Sequence, residues 1–168
     1  DSAQSKMIAP DYYPRYDQRN FTTVQMWNMQ DHASPELIRS VDLDGSYITS
    51  RKIGDYAYFV VQSYPDRRWV QLIQAANELG LTVSNVDERI VPMYRDRKGA
   101  EILDGNITFV PTAGCGDIGY LPPVQLQNFV TVASISMKDP AAEVKKETVV
   151  ASGSNVYAPQ GNLYLAEV

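Results

Sequence analysis

The chain has 168 residues and a mass of 18.8 kDa, with 44% hydrophobic and 21% charged side chains, which supplies a sizeable core and excludes a wholly disordered tail. A net charge of −5 and a pI near 4.8 offer no basic stripe for DNA or RNA. One Cys and one His exclude a zinc-finger cage and an internal disulfide, and there is no apolar run of about 18 residues to span a membrane.

Eleven Tyr against four Phe, with ten Gly and ten Pro, suit many short strands better than long helices. Residues 1–19 follow neither a helical nor a strand period and hold Pro10 and Pro14, which predicts an irregular arm. Its Tyr12, Tyr13 and Tyr16 are open to two roles, packing on the body or stacking on a ligand. From Thr23 to Met29 apolar and polar residues alternate, as a strand requires. The cluster Asp31-His32-Ala33-Ser34-Pro35 breaks the pattern, and Leu37 to Leu43 resumes it. Asp44-Gly45 predicts a tight hairpin turn, Tyr47 to Lys52 a third strand, and Gly54-Asp55 a turn into a fourth, Tyr56 to Val61. Trp69, Leu72, Ile73, Ala76 and Leu79 then recur at helical spacing, with Asp66 as N-cap and Gly80 as terminator, which predicts a helix over 66–80. Beyond it, Pro92, Pro111, Pro122 and Pro123 leave room for short strands near 88–94 and 106–110 between long loops.

The chain repeats itself. The segment from Phe21 lies over the segment from Phe129 without gaps, so that Thr23 meets Thr131, Val24 meets Val132, Met29 meets Met137, and Gly45-Ser46 meets Gly153-Ser154. A deletion of two residues then aligns Tyr58 with Tyr164. Each copy, about 21–61 and 129–168, reads as strand, turn, strand, Gly-Ser turn, strand, turn, strand. That is the pattern of a four-stranded propeller blade, which cannot bury both faces alone. The intervening residues 62–128 leave room for one further, degenerate blade carrying the helix. Two similar hairpins in a β-sandwich are the plainer alternative.

The strings Gly-Ser-Tyr-Ile-Thr-Ser-Arg-Lys-Ile-Gly-Asp-Tyr-Ala-Tyr (45–58), Cys-Gly-Asp-Ile-Gly-Tyr (115–120), Asn-Phe-Val-Thr-Val-Ala-Ser-Ile (128–135) and Gly-Ser-Asn-Val-Tyr-Ala (153–158) resemble a secreted bacterial and archaeal β-propeller family distantly related to WD40 repeats. The resemblance covers about 21–168 and departs at Lys52, where the family usually has Met. It implies an extracellular or cell-envelope location and a parent with further blades, and it brings no catalytic residues with it.

Candidate chemistry is thin. Cys115 sits between glycines, and His32 is its only imidazole partner, so a Cys/His pair stands against a buried Cys or a disulfide to a cysteine elsewhere. Asp42 and Asp44, and again Asp96, Glu101 and Asp104, are oxygen donors of the kind Ca²⁺ takes, but the plainer reading of Val-Asp-Leu-Asp-Gly is outward strand positions leading into a turn. Arg95-Asp96-Arg97-Lys98 reads as a solvated loop. Asp66, Glu78, Asp87 and Glu88 are the carboxylates from which a hydrolase pair would be drawn. No nucleophile elbow or phosphate-cradling loop occurs, and no cofactor signature.

The expectation is therefore an all-β chain, an incomplete β-propeller of blade-like four-stranded antiparallel sheets with one short helical insertion. Its expected function is a non-catalytic extracellular scaffold or binding module for a protein or glycan, with Tyr12, Tyr13, Tyr16, Tyr94 and Tyr120 as candidate contacts. The competing expectation is a secreted hydrolase acting on glycans or peptides through carboxylates. Exposed blade edges predict self-association, with a homodimer as its simplest form.

Overall fold

Alternating side chains form strands at the first four predicted places. The computed structural model describes residues 19–65, 67–81, 90–105, 108–120, 128–151, 155–157, 162 and 164–166. Strands β1 (Phe21–Asn28), β2 (Glu36–Asp44), β3 (Ser46–Ile53) and β4 (Tyr56–Ser63) are followed by helix α1 (Arg67–Glu78). Gly80, at φ 67°, ends the helix, with the Leu81 N–H donating to the Ala76 carbonyl at 2.8 Å. Leu79, expected on the apolar stripe, is exposed one residue beyond the last turn.

The insertion then departs from expectation. Of the strands predicted near 88–94 and 106–110, only Met93, Tyr94 and Val110 fall in strands, at the starts of β5 (Met93–Lys98) and β6 (Val110–Pro111), while 88–89 and 106–107 lie outside the described residues. Arg95-Asp96-Arg97-Lys98 is therefore strand, not solvated loop, because opposed charges on β2 satisfy its side chains. Short 3-10 turns at Gly99–Leu103 and Cys115–Asp117 and strand β7 (Gly119–Tyr120) lead to β8 (Phe129–Ser136), β9 (Lys145–Val150), β10 (Asn155–Tyr157) and β11 (Tyr164–Ala166).

Among the described residues the strands make three sheets, ordered β1-β2-β5-β6, β3-β4-β8-β9-β7 and β10-β11. In the second, β3, β4, β8 and β9 form an antiparallel meander interrupted between β4 and β8 by residues 64–128. The sheets are thus divided differently from the sequence copies. Each copy contributes a first hairpin (β1-β2 or β8-β9) and a second (β3-β4 or β10-β11), and the sheet boundary falls inside the copy. Asp44-Gly45 is accordingly a corner between two sheets and not a hairpin turn. Gly45 has φ 118°, its N–H donates to the Asn20 carbonyl at 2.7 Å, and a Cβ there would lie 2.5 Å from the Gln62 carbonyl oxygen. Among the described residues the expected intermediate blade does not form. Instead β5-β6 lengthens the first sheet beside β2, and β7 adds parallel to β9 in the second.

The core lies between the first two sheets. Val41 and Leu43 of β2 meet Val61, Ala133 and Ile135, with Val24, Met26, Phe59 and Tyr94 packed around them. The opposite face of the second sheet buries Val60, Val130 and Ala151. Val60 and Val61 point to opposite sides by the two-residue period, so this sheet is covered on both faces as a stacked blade must be. Each fully buried Val or Leu contributes about 1.5–3 kcal/mol. A buried hydroxyl chain, Thr112 to Thr148 at 3.0 Å and Thr148 to Thr131 at 3.1 Å, ties the insertion to the same sheet.

Candidate functional site

Strand β2 places Ser40, Asp42 and Asp44 on one face and Arg39, Val41 and Leu43 on the other, and all six are buried. Register sets Asp42 between Thr23 of β1 and Arg95 of β5. Its carboxylate accepts from Thr23 Oγ1 at 2.7 Å, Arg95 Nε at 2.9 Å and Arg97 Nη2 at 3.1 Å. Arg97 also donates to Ser40 Oγ and to the Ile102 carbonyl, both at 3.2 Å, which draws the Gly99–Leu103 turn onto the sheet. Arg97 Nε is buried without an acceptor. Arg95 lies 4.4 Å from the centre of the Phe109 ring, which stacks on Phe21.

Asp44 is held by Arg19 and by the Met93 N–H at 3.3 Å, while Arg19 also donates to the Val91 carbonyl at 3.0 Å. Burial pushes the Asp44 carboxyl above its ordinary range, and the Arg19 charge, the Arg19 hydrogen bond and the Met93 N–H offset that only in part. On the opposite face Arg39, 1% exposed, grips Asp96 through Nε and Nη2 at 2.9 and 2.6 Å. Its Nη1 donates to the Pro140 carbonyl at 3.1 Å and so fastens the first sheet to the β8–β9 turn of the second.

This lattice corrects the reading of Asp42 and Asp44 as outward strand positions. They are buried on their own face because the side chains of Arg95 and Arg97, from β5 beside β2, and of Arg19 lie over the two carboxylates. The same pairing occupies the oxygens that a cation would need, and among the described residues no three His, Cys, Asp or Glu side chains gather as metal ligands. Glu101 and Asp104 are exposed. Of the hydrolase candidates, Glu78 is exposed at the end of α1, and Asp66, Asp87 and Glu88 lie outside the described residues. Cys115 is exposed in its 3-10 turn, and His32 is exposed in the β1–β2 turn.

The candidate tyrosines separate. Tyr12, Tyr13 and Tyr16 lie outside the described residues. Tyr94 packs half-buried against the core between the sheets, with the Lys146 ammonium 3.9 Å from its ring centre. Tyr120 is 67% exposed on β7. Register places it in one row with Val150, Phe129 and Ser63, so Tyr64, which follows Ser63, leaves the sheet at the same end. Tyr47, at the start of β3, belongs to that end too, two rows from Tyr120 in the row of Val61, Thr131 and Thr148. Tyr47 and Tyr64 are exposed, and sequence reasoning passed over both. The available signal was their position at strand ends beside turn formers, Gly45 and Pro65. Residues 64–128 emerge from this same end.

At the other end, the Met137 N–H donates to the Asp55 carbonyl at 2.7 Å. There a cleft of about 120 Å³ opens between the sheets, lined by Met26, Arg39, Ala57, Phe59, Ile135 and Met137 among others. It has room for about four waters or one aliphatic side chain. A family model described as a beta propeller domain matches residues 1–168. Comparison with curated proteins and with solved structures found no match.

Proposed function

Because the chain belongs to the β-propeller domain family, we propose that it acts as a scaffold or binding module without a catalytic centre, and that it meets its ligand at the insertion end of the sheets. The observation that carries this reading is the placement of Tyr47, Tyr64 and Tyr120, all exposed, at one end of the second sheet. A phenol ring offers broad, rigid contact area at low entropic cost and a hydroxyl for specificity, which suits a protein or glycan ligand. Tyr94 works in this proposal as a packing residue behind that surface. The hydrolase alternative gains nothing from Asp42, Asp44 and Asp96, whose carboxylates are committed to arginines. An extracellular or envelope location belongs to the same proposal and rests on the family resemblance alone.

The test is retention on a panel of immobilised oligosaccharides and peptides, using the wild-type chain and the Tyr64→Ala/Tyr120→Ala variant. The expected result is at least one retained probe that the variant binds roughly tenfold or more weakly, within the range of an aromatic contact, at unchanged Tm. Equal retention by both proteins, or no retained probe, overturns the reading.

A further inference from the structure

The two ends of the sheets differ in charge. At the end away from the insertion, the turns and strand starts expose carboxylates at Asp31, Glu36, Asp55 and Asp139 and ammonium groups at Lys138 and Lys145. At the insertion end, among the described residues, Asn20, Ser46, Ser63 and Asn128 stand at the strand ends beside Tyr47, Tyr64 and Tyr120. The charged groups there, Arg19 and Asp44, are bound to each other. Ser63 Oγ, directly before Tyr64, is buried without a hydrogen-bond partner, so this end holds a polar group that the free chain leaves unsatisfied. The tyrosines are spread along the end. Tyr47 and Tyr120 sit on the outer strands of the order β3-β4-β8-β9-β7, four inter-strand steps apart, which is about 19 Å at about 4.8 Å per step. Tyr64 leaves the sheet between them, at β4. Val61, opposite Tyr47, looks onto the first sheet, and so does Val150, opposite Tyr120, since Val149 and Ala151 look the other way. Tyr47 and Tyr120 therefore share a face. The Tyr47 ring is also fixed, because its hydroxyl is hydrogen-bonded to Ser50 Oγ at 2.9 Å.

We propose, resting on the binding reading above, that the ligand at this end is a neutral, linear polysaccharide that lies across the strand ends with a sugar ring against each tyrosine. The apolar C–H face of a sugar meets the electron-rich face of a phenol ring, and its hydroxyls stay hydrated or bond the Asn and Ser side chains. A neutral chain gives up no ionic hydration at an uncharged surface, whereas a charged peptide or an acidic polysaccharide finds no counter-charge at these strand ends. Arg67 and Arg68, which open α1 beyond Pro65, are the cations that an acidic chain would have to reach. Spaced rings also make binding depend on ligand length, because a single sugar meets one tyrosine and a longer chain engages several together.

The test is an NMR titration of the 168-residue chain with neutral gluco- and manno-oligosaccharides, from single sugars to hexasaccharides. Polygalacturonate fragments, heparin fragments and a tryptic digest of serum albumin are titrated in parallel. The expected result is that at least one neutral series binds more tightly with length and that its ring protons move upfield, as protons over an aromatic face do. Tyr120→Ala should weaken the hexasaccharide by about tenfold at unchanged Tm, Tyr120→Phe should keep most of the affinity, and Arg67→Gln/Arg68→Gln should keep all of it. If the acidic fragments or the peptides bind in a Tyr120-dependent way and the neutral sugars do not, the polysaccharide inference is overturned and the binding reading stands. Neutral binding that ignores length overturns the inference as well. If no probe is weakened by Tyr120→Ala, both fall.

Discussion

Arg39 carries a full charge at 1% exposure, which is tolerable only because Asp96 and the Pro140 carbonyl take its N–H groups. Arg39→Met leaves Asp96 with only Lys98, at 3.6 Å, and is expected to lower unfolding stability by about 3 kcal/mol. The Asp96 side chain keeps 17% exposure, which holds the figure at the lower end of the range for a broken buried pair. Urea titration checks it, and the Arg39→Met/Asp96→Val variant should recover part of the loss, since no orphaned charge remains. Asp44 responds to pH in the opposite sense from an ordinary ion-paired carboxylate. Its folded pKa is raised by burial above 3.8, so the folded state holds that proton more tightly than the unfolded chain. Stability from this group is present below 3.8 and is lost as pH rises through the folded value. Relative to Asp44→Asn, the wild type should therefore lose stability as pH climbs through that interval. A difference that moves the other way in thermal melts at successive pH values contradicts the burial argument.

At the scale of elements, β1 to β4 and α1 were legible because their signals are local: alternation, a helical stripe, and Gly or Pro at the breaks. Strand β5 was not. Its alternating charges imitate a solvated loop, and the residues that satisfy them lie more than 50 positions away, as Arg95 with Asp42 and Arg39 with Asp96. The tyrosine end was hidden for a related reason, since Tyr64 comes to the same end as Tyr120 only through the register of Ser63 on β4 with β8, β9 and β7. Gly45 shows what one corner demands. Gly45→Ala combines a φ of 118° with a Cβ at 2.5 Å from the Gln62 carbonyl oxygen, and backbone cannot yield as a flexible side chain does. A loss of about 3 kcal/mol is expected, against about 1 kcal/mol for Gly54→Ala, where φ is 58° and the space is open. Denaturation midpoints of the two variants measured side by side decide it, and equal losses contradict the corner.

For the molecule as a whole, the repeat was visible in the residues but the division into sheets was not. A copy of the sequence and a sheet of the structure are out of phase by one hairpin, because β4 takes its neighbour from across the whole insertion and not from β1. The tyrosine-bearing end follows from that single pairing. Solution NMR of the isotopically labelled chain tests it most directly, through cross-strand contacts between β4 and β8. The expected result is cross-peaks between Phe59 and Ala133 and between Val60 and Val132, as the register requires. Cross-peaks that pair β2 with β3 across Asp44-Gly45 in one four-stranded sheet, with none between β4 and β8, would contradict the account.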